Sequence, residues 1–287
     1  MLKPGVMVRR RDGGDVAVRV FLRRRDGGDV EVFPRMVSPA VVPERDYVAE
    51  FLGRRPFYIS HRLGGAEYPE FTERGLRASL DAGFKALELS VRRCASGEFV
   101  LIHDWVTSRT VPGTDYQIWN TPWSTLKSLS QASGPFMTLE GVLGSVPGDV
   151  VLAIDHKVTS DKPTASQGDL ESEEALFELL EERLGKAAAA KRVLWKHFYK
   201  AGSVERAKAR GYRTMCMLYP NELASADLSA WDVLGMEWNA PEDAWATLRA
   251  TGKPLIAHVV TNAGQVAAAA GLGANGFMAS YPSVVHP

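Results

Sequence analysis

The sequence predicts an α/β fold, a (β/α)8 TIM barrel with a small N-terminal β-rich extension. Three observations predict it. The chain has 287 residues, and a barrel of this kind takes about 250. From residue 57 onward, short apolar runs alternate with helical patterns, which is typical of parallel βαβ units. The residues before this point differ in charge and contain a repeat. We therefore expect an Arg-rich arm over 1–35, a linker over 36–56 and the barrel over 57–287.

The overall composition is that of an ordinary globular protein and excludes several classes. Lys and Arg number 34, as do Asp and Glu, and 45% of the residues are hydrophobic. This neutral balance argues against a protein that holds nucleic acid by bulk charge. No apolar run is long enough to cross a bilayer, no signal-peptide pattern opens the chain, and only two cysteines occur. We expect a cytoplasmic protein without transmembrane segment, nucleic-acid partner or disulfide framework.

The arm carries nine basic residues against five acidic ones and contains RRRDGGDV twice, at Arg9–Val16 and Arg23–Val30. Each copy joins an Asp-Gly-Gly turn signal to an alternating run, so we expect two or three short strands with tight turns. Two interpretations of the arm stay open. It is either a β-appendage or a docking element for a protein partner or an anionic surface.

Nine runs in the barrel region read as strands, because each is short, apolar and bounded by polar or turn residues. They are 57–62, 86–91, 98–104, 150–155, 192–198, 213–219, 233–238, 254–260 and 276–280. Helical patterns cover 70–82, 171–184, 203–210, 241–250 and 263–270. Nine candidates exceed the eight places of the barrel, so one strand is expected outside the ring. The gap between Val91 and Glu98 is too short for a crossover helix, so the regular pattern breaks there.

Polar residues end several of these strands, and in such barrels the catalytic groups lie at the carboxyl ends of the strands. They are His61-Arg62, Glu88 with Ser90, His103-Asp104 and Asp155-His156-Lys157. A single histidine or carboxylate at a strand end is more often structural than catalytic. Convergence of so many on successive strand ends indicates a functional site.

This set of side chains suits phosphoryl chemistry. Carboxylate oxygens bind a hard divalent cation and leave positions open for phosphate oxygens. Arg and Lys neutralise charge that develops on phosphorus, and two histidines can divide proton transfer between base and acid. No GxxxxGK[ST] loop occurs, which argues against hydrolysis of nucleoside triphosphates.

Several separated motifs resemble the glycerophosphodiester phosphodiesterase family. That family's pattern runs HRG, PENT, a helix ending in glycine, ExD and then HD after a short turn. The counterparts here are His61-Arg62, Pro69-Glu70-Phe71-Thr72, Gly83, Glu88-Leu89-Ser90, His103-Asp104, Arg109-Thr110, Thr138-Leu139-Glu140, the IDHK stretch and the final GANGFMASYP. The resemblance covers about residues 57–282 and keeps the family order.

The resemblance implies a TIM-barrel enzyme that hydrolyses glycerophosphodiesters to glycerol phosphate and an alcohol with Ca²⁺ or Mg²⁺. The expected substrate is a small-molecule glycerophosphodiester or a lipid head group. By resemblance, His61 and His103 are the general acid/base pair. Arg62 and Lys157 would bind the phosphate of the small-molecule substrate.

The resemblance further implies that Glu88 and Asp155 hold the metal, with Glu70 at or beside it. Ser90 stands where the family has a second metal-ligating Asp, and a neutral hydroxyl is a weaker ligand. Asp155 replaces a Glu. Three explanations stay open: a weaker metal site that still works, a site completed by another residue such as His156, or a barrel that has lost catalysis.

Two further positions by resemblance form the wall of the substrate pocket, Phe198 and His258, the latter replacing a family Trp. Phe71 replaces the Asn of PENT, and Ala279-Ser280 replaces Thr-Asp. The departures keep an alternative function open. The chain could be a catalytically weakened barrel that serves as a binding or structural module through its arm, for example in a virion or envelope assembly.

Overall fold

The structure is a computed structural model that describes residues 5–7, 19–23, 29–32, 45–131, 134–158, 167–198 and 203–287. The chain divides into two units, Met1–Glu44 and Arg45–Pro287. In the first unit β1 (Gly5–Met7), β2 (Arg19–Arg23) and β3 (Asp29–Val32) form an antiparallel sheet in that order. Both Asp-Gly-Gly segments lie outside the described residues, so the turns predicted there stay predictions.

The second unit alternates strands and helices. Its strands are β4 (Phe57–Ser60), β5 (Ala86–Arg93), β6 (Phe99–Leu101), β7 (Ser130–Gln131), β8 (Gly134–Pro135), β9 (Val151–His156), β10 (Val193–Phe198), β11 (Arg213–Met217), β12 (Val233–Glu237), β13 (Leu255–Val260) and β14 (Gly276–Ala279). Its α-helices are α1 (Tyr47–Gly53), α2 (Glu73–Asp81), α3 (Trp123–Leu126), α4 (Leu139–Leu143), α5 (Gln167–Leu184), α6 (Lys186–Arg192), α7 (Val204–Ala209), α8 (Glu242–Arg249) and α9 (Ala263–Gly271).

Eight of these strands close into a ring of parallel neighbours, in the order β4, β5, β9, β10, β11, β12, β13, β14 and back to β4. The predicted barrel is therefore confirmed. The ninth candidate is β6, which runs antiparallel to β5 and lies outside the ring. Antiparallel strands need only a short connection, which explains the short gap after β5.

Side chains along each ring strand point alternately into the barrel and toward the surrounding helices, which gives two apolar layers. Ala86, Val151 and Leu194 lie in the cluster that fills the barrel, whereas their chain neighbours lie in the cluster between ring and helices. Helix α1 packs against the interior cluster through Val48, Phe51 and Leu52, so this helix belongs to the barrel's packing although it falls in the predicted linker. The predicted arm and linker limits stay predictions, because residues 33–44 lie outside the described part of the chain.

Helix α2 shows how local sequence fixes an element next to the strand ends. Its N-cap Thr72 accepts a hydrogen bond from the Gly75 backbone N–H, and Gly83, with φ of 89°, follows its end. Gly75 packs so closely that an added Cβ would lie 2.3 Å from the Leu63 carbonyl oxygen. The helix therefore lies directly against the turn that follows β4.

None of the helices in the described parts of the chain is long and apolar enough to span a bilayer.

Replacing Phe51 tests whether α1 is part of the barrel. Its ring is 4% exposed and packs edge-on against Phe57 at 5.2 Å. Phe51→Ala is expected to lower the free energy of unfolding by about 3–5 kcal/mol in a denaturant titration, because a large buried side chain is lost. Arg54→Ala, at an exposed neighbouring position, should change it by less than about 0.5 kcal/mol. Equal, small effects of both substitutions would contradict the packing role.

Candidate active site

The carboxyl ends of β4, β5, β9 and β10 bring the polar strand-end residues together. After β4 the chain makes a tight helical turn over His61–Leu63, in which Arg62 has the left-handed φ of 49°. In this turn the Arg62 backbone N–H donates a 2.8 Å hydrogen bond to Glu88 Oε2. The end of β4 is therefore tied to β5 through a buried carboxylate.

Strand register places three polar side chains side by side inside the barrel. Ser90 of β5 is paired with Asp155 of β9, and Asp155 is paired with Lys196 of β10. Alternation turns all three toward the interior, as it does Glu88, two residues before Ser90. All four are buried, with Lys196 4% and Glu88 0% exposed.

The ammonium of Lys196 lies between the two buried carboxylates. Its Nζ is 3.1 Å from Glu88 Oε1 and 2.5 Å from Asp155 Oδ2. The Lys157 Nζ lies 2.8 Å from the same Asp155 oxygen. The Ser90 hydroxyl lies 3.1 Å from Glu88 Oε1 and 3.4 Å from Asp155 Oδ2. Two carboxylates, two ammonium groups and one hydroxyl thus form a compact cluster whose formal charges balance.

Burial and pairing set the ionisation of this cluster in opposite directions. Burial disfavours the charged form of Asp155, but Lys157 and Lys196 hold its pKa well below the ordinary value. Burial also opposes the charge on Lys196, yet Asp155 and Glu88 raise its pKa above the ordinary value. Lys196 is therefore an ammonium at neutral pH. The pKa of Lys157 is lowered, because burial and Lys196 outweigh its pairing with Asp155.

The two predicted catalytic histidines each have one ring nitrogen bound. His61 Nδ1 lies 2.7 Å from the Ser280 hydroxyl, and His103 Nδ1 lies 2.8 Å from Asp104 Oδ1. Burial lowers the pKa of His61 well below its ordinary value, and burial with Lys157 and Arg62 lowers that of His103 to about 4. Because a carboxylate only accepts, His103 Nδ1 carries the proton and Nε2 is a lone-pair acceptor.

A chain of ion pairs runs along the rim between Arg62 and His103. The buried Glu70 carboxylate accepts hydrogen bonds from Arg62 at 3.1 Å and from Arg109 at 2.7 and 3.1 Å. Arg109 also donates to Asp104, the partner of His103. Burial opposes ionisation of Asp104, but hydrogen bonds from Arg109 and His103 lower its pKa to about 2. The alternating charges connect the guanidinium of Arg62 to the orienting carboxylate of His103.

A cavity of about 400 Å³ opens at this end of the barrel. Its lining includes His61, Arg62, His103 and Lys196, so a ligand in it reaches both imidazoles and two cations. The remaining lining residues form an aromatic and polar wall: Phe198, Met217, Tyr219, Glu237, Trp238, Asn239, His258, Val259 and Met278. The cavity combines positive charge with imidazole, as recognition of an anionic substrate requires.

A second group of titratable side chains lies on the outer face of β9 and β10. His156, His197 and Glu173 of α5 are buried, and their nitrogen and oxygen atoms lie close enough together to hold a metal ion. His156 Nε2 is 2.9 Å from the Ser172 hydroxyl, and Glu173 pairs with Arg206. Both imidazoles thus belong to the layer between strands and helices, on the face of their strands opposite Asp155 and Lys196.

Most of the residues expected from sequence at the site come together in the structure. Those at the mouth or in the buried cluster are His61, Arg62, Glu70, Glu88, Ser90, His103, Asp155, Lys157, Phe198 and His258. Sequence reasoning missed Lys196, the bridging role of Arg109 and the Ser280 hydroxyl on His61. The sequence did hold a signal for Lys196. It is a charged residue in a largely apolar strand, two positions after Leu194 and so on the same face of that strand.

A profile of the glycerophosphoryl diester phosphodiesterase family matches residues 61–206, which hold both histidines and the whole charged cluster. The chain belongs to this family. It is by family a phosphodiester hydrolase, as the resemblance of its motifs predicted. A search of curated proteins found no match.

Solved structures of the same fold belong to enzymes of this family. A glycerophosphodiester phosphodiesterase from Thermotoga maritima is 19% identical, with 78% of this chain and 94% of that chain covered and a TM-score of 0.61. One from Parabacteroides distasonis is 19% identical, with 80% and 95% covered and a TM-score of 0.60. A phosphodiesterase from Oleispira antarctica, solved with its product sn-glycerol-3-phosphate, is 19% identical, with 79% and 94% covered and a TM-score of 0.62.

Buried histidines predict an acid-dependent loss of stability. Burial, with Lys196 nearby, lowers the pKa of His258 to about 4, and the pKa values of His103, His156 and His197 are lowered too. An unfolded histidine takes up a proton near its ordinary pKa of about 6.5, so the free energy of unfolding falls as pH drops from there to about 4. Denaturant titrations across this window measure the fall.

His258→Gln isolates the contribution of one such group. The variant should weaken the pH dependence between these limits by up to about 1.4 kcal/mol per pH unit, the value for one proton. Above neutral pH, His258 is unprotonated in both the folded and the unfolded wild-type protein. Wild type and variant should therefore show the same pH dependence of the free energy of unfolding there. An unchanged dependence in the acid window would contradict a neutral, buried His258.

Proposed function

We propose that the protein hydrolyses glycerophosphodiesters to glycerol phosphate and an alcohol. The observation that carries the proposal is one cavity that joins two imidazoles to Arg62 and Lys196, in a chain of this family. The product found in the Oleispira antarctica phosphodiesterase, which shares the fold, supports glycerol phosphate as the product here. The phosphodiester group carries one negative charge, which the guanidinium of Arg62 and the ammonium of Lys196 in the lining can meet.

Proton transfer is assigned from the hydrogen bonds of the two imidazoles. His103, whose Nδ1 donates to Asp104, offers its Nε2 lone pair to remove a proton from an attacking water, whose oxygen bonds to phosphorus as the bond from phosphorus to the alcohol oxygen breaks. To act as the acid, His61 must hold a proton on both ring nitrogens, with Nδ1 donating to the Ser280 hydroxyl oxygen. Transfer of the Nε2 proton to the leaving alcohol oxygen then returns the neutral imidazole that burial favours. Both side chains line the cavity, so one bound phosphodiester can contact both imidazoles.

Charge on the phosphoryl oxygens is met by side chains of the chain itself. Arg62, anchored by Glu70, presents a guanidinium to the cavity, and Lys196 of the same lining adds an ammonium. Lys157 lies next to Lys196, on the same Asp155 oxygen. Guanidinium and ammonium donors held in a dry site stabilise the charge that grows on a phosphoryl group in the transition state.

The divalent cation that the family generally uses, expected here as Ca²⁺ or Mg²⁺, does not fit the donor set as it is arranged. Glu88 Oε1 and Asp155 Oδ2 are held by Lys196, Glu88 Oε2 by the Arg62 backbone, and Glu70 by two guanidinium groups. Ser90 adds a neutral hydroxyl where a third carboxylate would help a cation. We therefore derive no step through a metal at these residues.

Activity assays on histidine variants test the proposal. His61→Ala and His103→Ala are each expected to lower kcat/KM for glycerophosphocholine about 10²–10⁴-fold, because proton transfer to or from the reacting oxygens is lost. Lys85→Gln is the control, since this exposed ammonium pairs with Asp149 before the strand starts. Wild-type turnover no higher than that of both histidine variants, on several diesters, would favour the alternative of a binding or structural module.

Asp104→Asn tests the orientation of His103. The amide cannot supply the carboxylate that holds the Nδ1 proton, so kcat is expected to fall about 10- to 1,000-fold with a smaller change in KM. Steady-state kinetics measure both constants, and thermal unfolding checks that the fold is kept. A rise in KM alone would instead assign Asp104 to substrate binding.

A further inference from the structure

The Lys196 ammonium occupies the point at which Glu88 and Asp155 converge. Its Nζ contacts one oxygen of each carboxylate, from two neighbouring strands, and the residue is only 4% exposed. A Mg²⁺ or Ca²⁺ ion needs carboxylate oxygens at about 2.0–2.6 Å, and an ion that bridged Glu88 Oε1 and Asp155 Oδ2 would displace the ammonium that holds both. Ion and ammonium exclude each other here.

The charge of the buried cluster is complete with the lysines present. Glu88 and Asp155 are balanced by Lys157 and Lys196, and Ser90 contributes a neutral hydroxyl. A divalent cation added to this set would leave two positive charges unpaired inside the barrel, and each unpaired buried ion costs several kcal/mol. The raised pKa of Lys196 agrees with a permanently charged group.

Lys196 also reaches the cavity in which the diester would bind. An ammonium has three N–H donors, and the described contacts of Lys196 to carboxylates use two. Since Lys196 lines the cavity with His61, Arg62 and His103, its third donor is available to a phosphoryl oxygen. The group can thus both satisfy the carboxylates and polarise the phosphate.

We propose that the Lys196 ammonium replaces the divalent cation at Glu88 and Asp155, so that this chain hydrolyses phosphodiesters without a metal ion at that position. The inference rests on the proposed phosphodiesterase function. It goes beyond that function by naming a catalytic cation that the chain itself supplies.

Calorimetric titration with Ca²⁺ tests the inference without an activity measurement. Ca²⁺ prefers oxygen ligands, so the two imidazoles beside Glu173 do not compete for it. Metal-stripped wild-type protein is expected to show no saturable binding. The double variant Ser90→Asp/Lys196→Gln, which restores a carboxylate and removes the ammonium, is expected to bind one Ca²⁺. Saturable binding by wild type that is lost in Glu88→Gln would overturn the inference, and this comparison stands even if the double variant fails to fold.

Turnover of glycerophosphocholine, measured with and without a chelator, is a second test of the inference. Wild-type kcat/KM is expected to change less than about twofold on chelation, whereas Lys196→Gln should lose about a hundredfold or more in either condition. Lys85→Gln is the matched control for the loss of one ammonium. Wild-type turnover that disappears on chelation and returns with Ca²⁺ or Mg²⁺ refutes the inference but keeps the proposed function.

No wild-type turnover in either condition has a different meaning. It refutes the proposed function, and the Ca²⁺ titration then still decides whether Lys196 excludes a cation from Glu88 and Asp155.

Discussion

Two carboxylates buried inside the barrel, Glu88 and Asp155, set the arrangement of the whole strand-end site. A carboxylate out of water is tolerated only when a cation and hydrogen bonds compensate its lost hydration. Lys196 and Lys157 provide the cations, and Ser90 fills the space between the acids with a hydroxyl. The floor of the cavity is therefore a neutral, tightly paired layer rather than a loose collection of charged side chains.

The same pairing reaches the two histidines through the backbone and the rim. Glu88 holds the Arg62 backbone N–H, and so the turn that carries His61. Arg62 in turn pairs with Glu70, which begins the chain of charges that ends at His103. Because the groups are connected, loss of one carboxylate is expected to disturb the surroundings of both His61 and His103. Such residues behave non-additively in double-mutant cycles.

The barrel and most of the site residues could be predicted from the sequence, because polar residues that end apolar strands converge whenever the strands are parallel. His61 and Asp155 were predicted in this way. His103 was predicted on the same ground, but it follows β6, which runs antiparallel to β5 outside the ring. Lys196 was not, since its role depends on which strand lies beside β9 and in which register. Ser280 was seen only as a departure from a motif, because its contact with His61 joins the two ends of the barrel chain.

Charge balance explains why Ser90 and Lys196 are best understood together. With an aspartate at position 90 and Lys196 kept, the buried cluster would hold three negative charges against two positive ones. With Ser90 kept and Lys196 removed, the cluster would hold two negative charges against one positive charge. Either single change leaves an unpaired ion where desolvation is most costly, whereas both changes together leave three carboxylates and Lys157, a set that a divalent cation neutralises. The ammonium carries one charge where such an ion carries two. Under the proposed function, the rest of the charge on a bound phosphoryl group would be met by Arg62, another cation of the cavity lining.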